Sequence, residues 1–232
     1  MTKFTEGYAE EPITDCLDDS LAETVAATHD LLADRLSEAE DCRPTRSEPR
    51  ARQRVTDPFL ASTSRHVAAA TAVFAQAAQR HLSDGRQLGH ELSRRGLRLE
   101  GALFATKGKL YGSSYLMRRP WSVIWEDVEE AFDGFCQQER RLVEDLVATV
   151  SADDRDGIAD RLYRAEQHVP TRPHPYLPHL GIAGRVARGV VQHVDHFWDT
   201  AEGRMVPDPV RPRRSREGPI VQYLLADPHV KA

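Results

Sequence analysis

The residues able to do chemistry in this 232-residue chain are ten histidines, three cysteines and the carboxylates near them. The densest run is HVPTRPHPYLPH, residues 168–179, which sets His168, His174 and His179 among four prolines. Imidazole is a common metal ligand, so the run raises the question of a metal. Proline has no N–H to give to a helix or sheet, and it pushes the residue before it toward extended geometry. A preformed metal site needs ligands fixed by their surroundings, so these three histidines read as surface residues of an extended tail. His193, Asp195, His196 and Asp199 form a second cluster, with the two histidines three apart on one helix face. Beside Phe197 and Trp198, that stretch reads as an amphipathic docking helix with a polar edge.

The cysteines offer less. Cys16 lies near Asp15 and Asp18, and Cys42 follows Glu40 and Asp41. Acidic neighbours disfavour a reactive thiolate. Cys136 sits in apolar helical pattern and reads as a small buried side chain. An odd count without CxxC spacing argues against a disulfide framework or a zinc knuckle. There is no HExxH, glycine-rich phosphate loop or EF-hand loop, and no triad spacing. No catalytic residue is assigned, and the chain is not expected to be an enzyme.

Helices must position whatever site exists. Leu21, Val25, His29, Leu32 and Leu36 recur every three or four residues from Leu17 onward, with Asp18, Asp19 and Ser20 as cap candidates. A basic linker over 42–56 separates them from a second helix, expected to start at Asp57-Pro58. That helix carries Phe59, Thr63, His66, Ala70, Phe74 and Ala77 on one face. Ser83-Asp84-Gly85 breaks it. Leu88, Leu92, Leu99, Leu103 and Leu110 mark a third helix ending near Gly112, and Pro120 precedes a fourth. The fourth reads Trp121, Ile124, Trp125, Val128, Phe132, Phe135, Leu142, Leu146 and Val150. A fifth, shorter helix runs from Asp153 to about His168, with Ile158, Leu162 and Ala165 inward. Four long amphipathic stripes with short connections predict an all-α fold, an up-down-up-down four-helix bundle. The expected organisation is a disordered acidic N-terminus over 1–16, the bundle over 17–169, and a Pro/Arg-rich tail over 170–232 with one more helix near 182–200.

Composition narrows the partners. No run is long and apolar enough to span a membrane, and no signal peptide is recognisable, so a cytoplasmic protein is expected. A net charge of −5 argues against a general nucleic-acid binder. Charge is uneven: residues 1–42 hold twelve acids and two bases, whereas 43–54 hold five arginines and one acid. The long polar tails predict a protein partner.

A helical bundle followed by PTRPHP resembles the hemerythrin-like (HHE cation-binding) domain proteins, especially the actinobacterial kind. SRHVAAATAVFAQAAQRHL, residues 64–82, is similar to that family's second helix, and the resemblance covers residues 17–180. It implies a di-iron or related site, with a His from helix one, His-x-x-x-Glu from helix two, a His from helix three and His-x-x-x-Glu from helix four. His29 and His66 match the first two histidines. The remaining positions fall at Ala70, Gly96, Gly134 and Gln138, and no histidine occurs between His90 and His168. The resemblance therefore predicts a hemerythrin-like fold that has lost most of its ligands and has no cofactor, serving as an interaction or regulatory module. Two alternatives stand beside it. One is an iron-binding redox or oxygen-sensing protein with a rearranged site using His29, His66 and carboxylates among Glu91, Glu100, Asp133 and Glu139. The other is a small-ligand binder in space vacated at Ala70, Gly96, Gly134 and Gln138, unless Phe74, Phe104, Phe132 and Phe135 fill it.

Overall fold

The computed structural model describes residues 20–169 and 207–212. It is all-helical, with no strand among the described residues. The helices are α1 (Ser20–Asp41), α2 (Ala51–His81), α3 (Gly85–Leu110), α4 (Trp121–Thr149) and α5 (Ala152–Glu166). Helix α1 packs on α2 and α4, and α3 packs on the same two helices. Helix α5 closes over α1 and α2. The expected terminal segment 1–16, the helix near 182–200 and its cluster at 193–199, and His174 and His179 all lie outside the described residues.

One continuous apolar core runs between the helices, from Leu21 and Val25 on α1 to Ile158 and Leu162 on α5. Helix α2 supplies its small-residue layer. Ala69, Ala70, Ala75 and Ala78 are fully or nearly fully buried, and alanine combines the best helix propensity with the least bulk. The chain then reverses within three residues, and Gly85 lies against the backbone of Ala78. Gly112, with φ at +84°, ends α3 in the left-handed region that glycine tolerates. Ser151 caps α5, its hydroxyl accepting from the Asp154 N–H at 3.2 Å.

Two expectations change. Helix α2 begins at Ala51, before the expected Asp57-Pro58 start, and Pro58 lies inside it. Tertiary contacts hold the extra turns: Arg52 sits over the Trp121 ring at 4.5 Å and donates to the Cys42 carbonyl at 3.0 Å, and Thr56 is buried. Asp57 accepts from the Tyr111 hydroxyl at 2.5 Å instead of capping the helix. Phe104 does not fill the core, since it is 46% exposed. It follows the buried Leu103, and one residue further along a helix turns the side chain about 100° away.

Candidate metal centre

The buried stripe of α4 continues through a carboxylate. Phe135 and Leu142 are seven residues apart, and Glu139 occupies the stripe position between them, with no exposure at all. Helix α5 does the same, its buried Ala159 and Leu162 followed by buried Glu166. His29 on α1 and His66 on α2 are both buried and project into the same space. Helix packing thus brings two imidazoles and two carboxylates from four helices to one point in the core.

The contacts are close and directional. His29 Nε2 and His66 Nε2 both meet Glu139 Oε2, at 2.9 and 3.1 Å. His66 Nδ1 meets Glu166 Oε1 at 2.6 Å. The His29 and His66 rings stand edge to face with centroids 5.8 Å apart, and Phe135 closes over His66 at 6.3 Å. Both nitrogens of His66 face carboxylate oxygens, an arrangement that favours the doubly protonated ring. Burial lowers the His66 pKa, but the Glu139 and Glu166 carboxylates outweigh it and push the group up to about 10. Burial raises that of Glu139, and His66 and His29 outweigh it, bringing the carboxyl down to about 2. Arg65, buried beside His66, has its pKa lowered by burial, with Glu166 opposing.

Three of these side chains, His29, His66 and Glu139, offer the donor atoms a cation would need. One nitrogen from each histidine and one oxygen of Glu139 lie within 4.8 Å of one another. Two histidines and a carboxylate form a ligand set suited to divalent iron and similar metals. Ligand atoms about 2.1 Å from a tetrahedral ion stand about 3.4 Å apart, so the two Nε2–Oε2 contacts would open by a few tenths of an ångström to hold one. Glu139 Oε1 and His29 Nδ1 are buried without a hydrogen-bond partner, so the cluster is not internally complete. A divalent ion would take the place of the proton between His66 Nε2 and Glu139. Glu166 would then fix the ring through its Nδ1–H, as carboxylates commonly do behind metal-bound histidine.

The structure brings His29 and His66 together. The helix-four carboxylate is Glu139, one residue beyond the expected Gln138, which is buried beside it. Ala70 is fully buried. A Cβ at Gly96 would stand 3.1 Å from Val67 and 3.2 Å from Thr71, and at Gly134, which is half-buried, it would meet the end of the exposed Arg95 side chain at 2.7 Å. Glu91 accepts from Gln87 at 3.2 Å and Asp133 is exposed, whereas Glu100 is buried on α3. His168 is exposed and donates through Nδ1 to the Arg164 carbonyl at 2.7 Å. Burial raises the Cys136 pKa, which suits an unreactive thiol. Sequence reasoning missed Glu166; its one signal was the three-and-four spacing that follows Ala159 and Leu162 inward. Compared with known proteins, the chain matches no family model, no curated protein and no solved structure.

Proposed function

We propose that this chain is a hemerythrin-like bundle, with its four long helices antiparallel, that binds a single transition-metal ion, preferentially iron. His29, His66 and Glu139 are the ligands, and Glu166 orients His66. The observation that carries this reading is the meeting of two imidazoles on one oxygen of a fully buried carboxylate. Three buried ionisable groups are costly unless a compensating charge holds them together. The role that fits is redox sensing or binding of very small molecules. Side chains this buried give an organic substrate no approach, so no catalytic residue is assigned.

The decisive experiment is elemental analysis of protein purified without chelator, followed by titration with ferrous iron, zinc and manganese. About one metal per chain is expected, falling to background in His66→Ala and Glu139→Gln. Metal-free protein that takes up none of the three sinks the proposal. A second reading then gains, that of an interaction or regulatory module whose core holds a purely hydrogen-bonded network. The contacts of 2.6–3.1 Å favour it, being ordinary hydrogen-bond lengths.

A further inference from the structure

One end of the molecule gathers basic and exposed apolar side chains. The α1–α2 and α3–α4 connections meet there: Tyr111 bonds Asp57, Arg52 bonds the Cys42 carbonyl, and Arg52 and Lys109 both lie over Trp121. Residues 43–54 and 107–119 together hold nine Lys and Arg against one acid, Glu48, in a chain of net charge −5. Glu48 pairs with Arg54 at 3.1 Å, and Asp127 of α4 pairs with Arg119 at 2.7 Å. Arg43, Arg46, Arg50 and Arg118 are exposed.

The α3–α4 connection also presents apolar side chains to solvent, Tyr115 at 86% and Met117 at 57% exposure. It is held in place from beneath. Lys109 Nζ donates to the carbonyls of Leu116 and Met117 at 3.4 and 3.2 Å. Leu116 folds over Gly108, where a Cβ would come within 2.6 Å of its Cδ1. With Leu116 drawn inward, Tyr115 and Met117 stand outward on either side of it. Such a turn, with exposed Arg118 beside Met117 and the arginine-rich α1–α2 connection at the same end, is a preformed surface with two apolar points among basic residues.

We infer that this end docks on an anionic phospholipid membrane. Tyr115 and Met117 enter the headgroup layer while Arg46, Arg50 and Arg118 meet lipid phosphates. Tyrosine's amphipathic ring suits that layer, and each basic residue near an anionic leaflet adds attraction. Met117 has an apolar side chain with no flat ring for a base to stack on, which favours lipid over nucleic acid. Among the described residues no helix is long and apolar enough to cross a membrane, so the contact is peripheral.

The test is flotation of the full chain with vesicles of phosphatidylcholine alone or mixed with phosphatidylglycerol. Wild type floats with the anionic vesicles, stays behind with the neutral ones, and is released by high salt. Tyr115→Ser with Met117→Ser lowers partitioning about tenfold. Arg46→Ala with Arg50→Ala lowers it about tenfold or more. Helix content and melting temperature stay unchanged, since all four side chains are exposed. Failure to float, equal binding to neutral vesicles, or variants that bind like wild type overturn the inference. So does a single-stranded oligonucleotide that binds where vesicles do not and is lost with the arginine variant, because the face then belongs to nucleic acid.

Discussion

Helix α2 faces α3 with small residues and faces α1, α4 and α5 with charge. Toward α3, Gly85 and Gly89 lie against Ala78 and Ala75, and Gly96 lies against Val67 and Thr71. Toward the other helices, His66 meets Glu139 and Glu166. The first interface is specified by shape, because a Cβ at Gly85 would strike the Ala78 backbone and one at Gly89 or Gly96 would crowd its neighbours. The second is specified by charge, because its groups are tolerable in the core only together. Each should fail in its own way, so substitution can tell them apart.

The largest effect is expected at the charged side. Glu139→Ala removes the acceptor shared by both histidines and leaves His66 with Glu166 alone. Breaking a buried pair by deleting one partner costs about 3–5 kcal/mol. Urea unfolding of metal-free protein measures it, and a loss below about 1 kcal/mol would mean that the cluster is not an ionised network. Gly85→Ala comes next and strikes the shape side. Its Cβ would fall 1.9 Å from the Ala78 carbonyl oxygen, a backbone atom that cannot swing aside. A loss of about 3 kcal/mol is expected, read as a lower melting temperature with metal affinity retained.

Response to pH separates the two sides without mutation. The His66 pKa is raised, so its contribution is complete below the ordinary value of 6.5 and is lost as pH climbs through about 10. The Glu139 pKa is lowered, so its contribution is complete above 4.5 and is lost as pH falls through about 2. Metal-free protein should therefore be most stable between 4.5 and 6.5, with a gradual alkaline decline. His66→Gln should flatten the alkaline limb, whereas Gly85→Ala should lower the whole curve and keep its form. Chemical unfolding across pH gives the comparison.

The same contrast explains what the sequence could reveal. Shape follows from local pattern: the stripes, the Ser83-Asp84-Gly85 break and the stop near Gly112 all lie where the helices begin and end. The start of α2 was hidden because Arg52 and Thr56 are ordered by Trp121 and the core, not by neighbours in sequence. Within the site, His29 and His66 were legible because both sit on apolar stripes. Glu139 was legible only as one of four candidate carboxylates, because the resemblance put the helix-four ligand at Gln138, although the spacing of Phe135 and Leu142 leaves an inward position at 139. Glu166 comes from the short fifth helix, and only folding that helix against α2 makes it a partner of His66.

The smallest effects lie on α3, where two glycines five residues apart separate contact from open surface. Alanine is about 1 kcal/mol better than glycine inside a helix, whatever surrounds it. At Gly101 nothing lies within 4 Å of a new Cβ, so Gly101→Ala should keep that gain and raise the melting temperature. At Gly96 the Cβ would meet Val67 and Thr71 at 3.1 and 3.2 Å, with Phe135, the ring over His66, at 3.6 Å. Those neighbours must yield a few tenths of an ångström, and overpacking of this kind costs about 1–3 kcal/mol. The cost outweighs the propensity gain, so a net loss of about 1 kcal/mol is expected. Because Phe135 links the two interfaces, the change should also weaken metal binding slightly. If Gly96→Ala instead stabilises as much as Gly101→Ala, the α2–α3 contact is loose there, and a small ligand has room beside His66 after all.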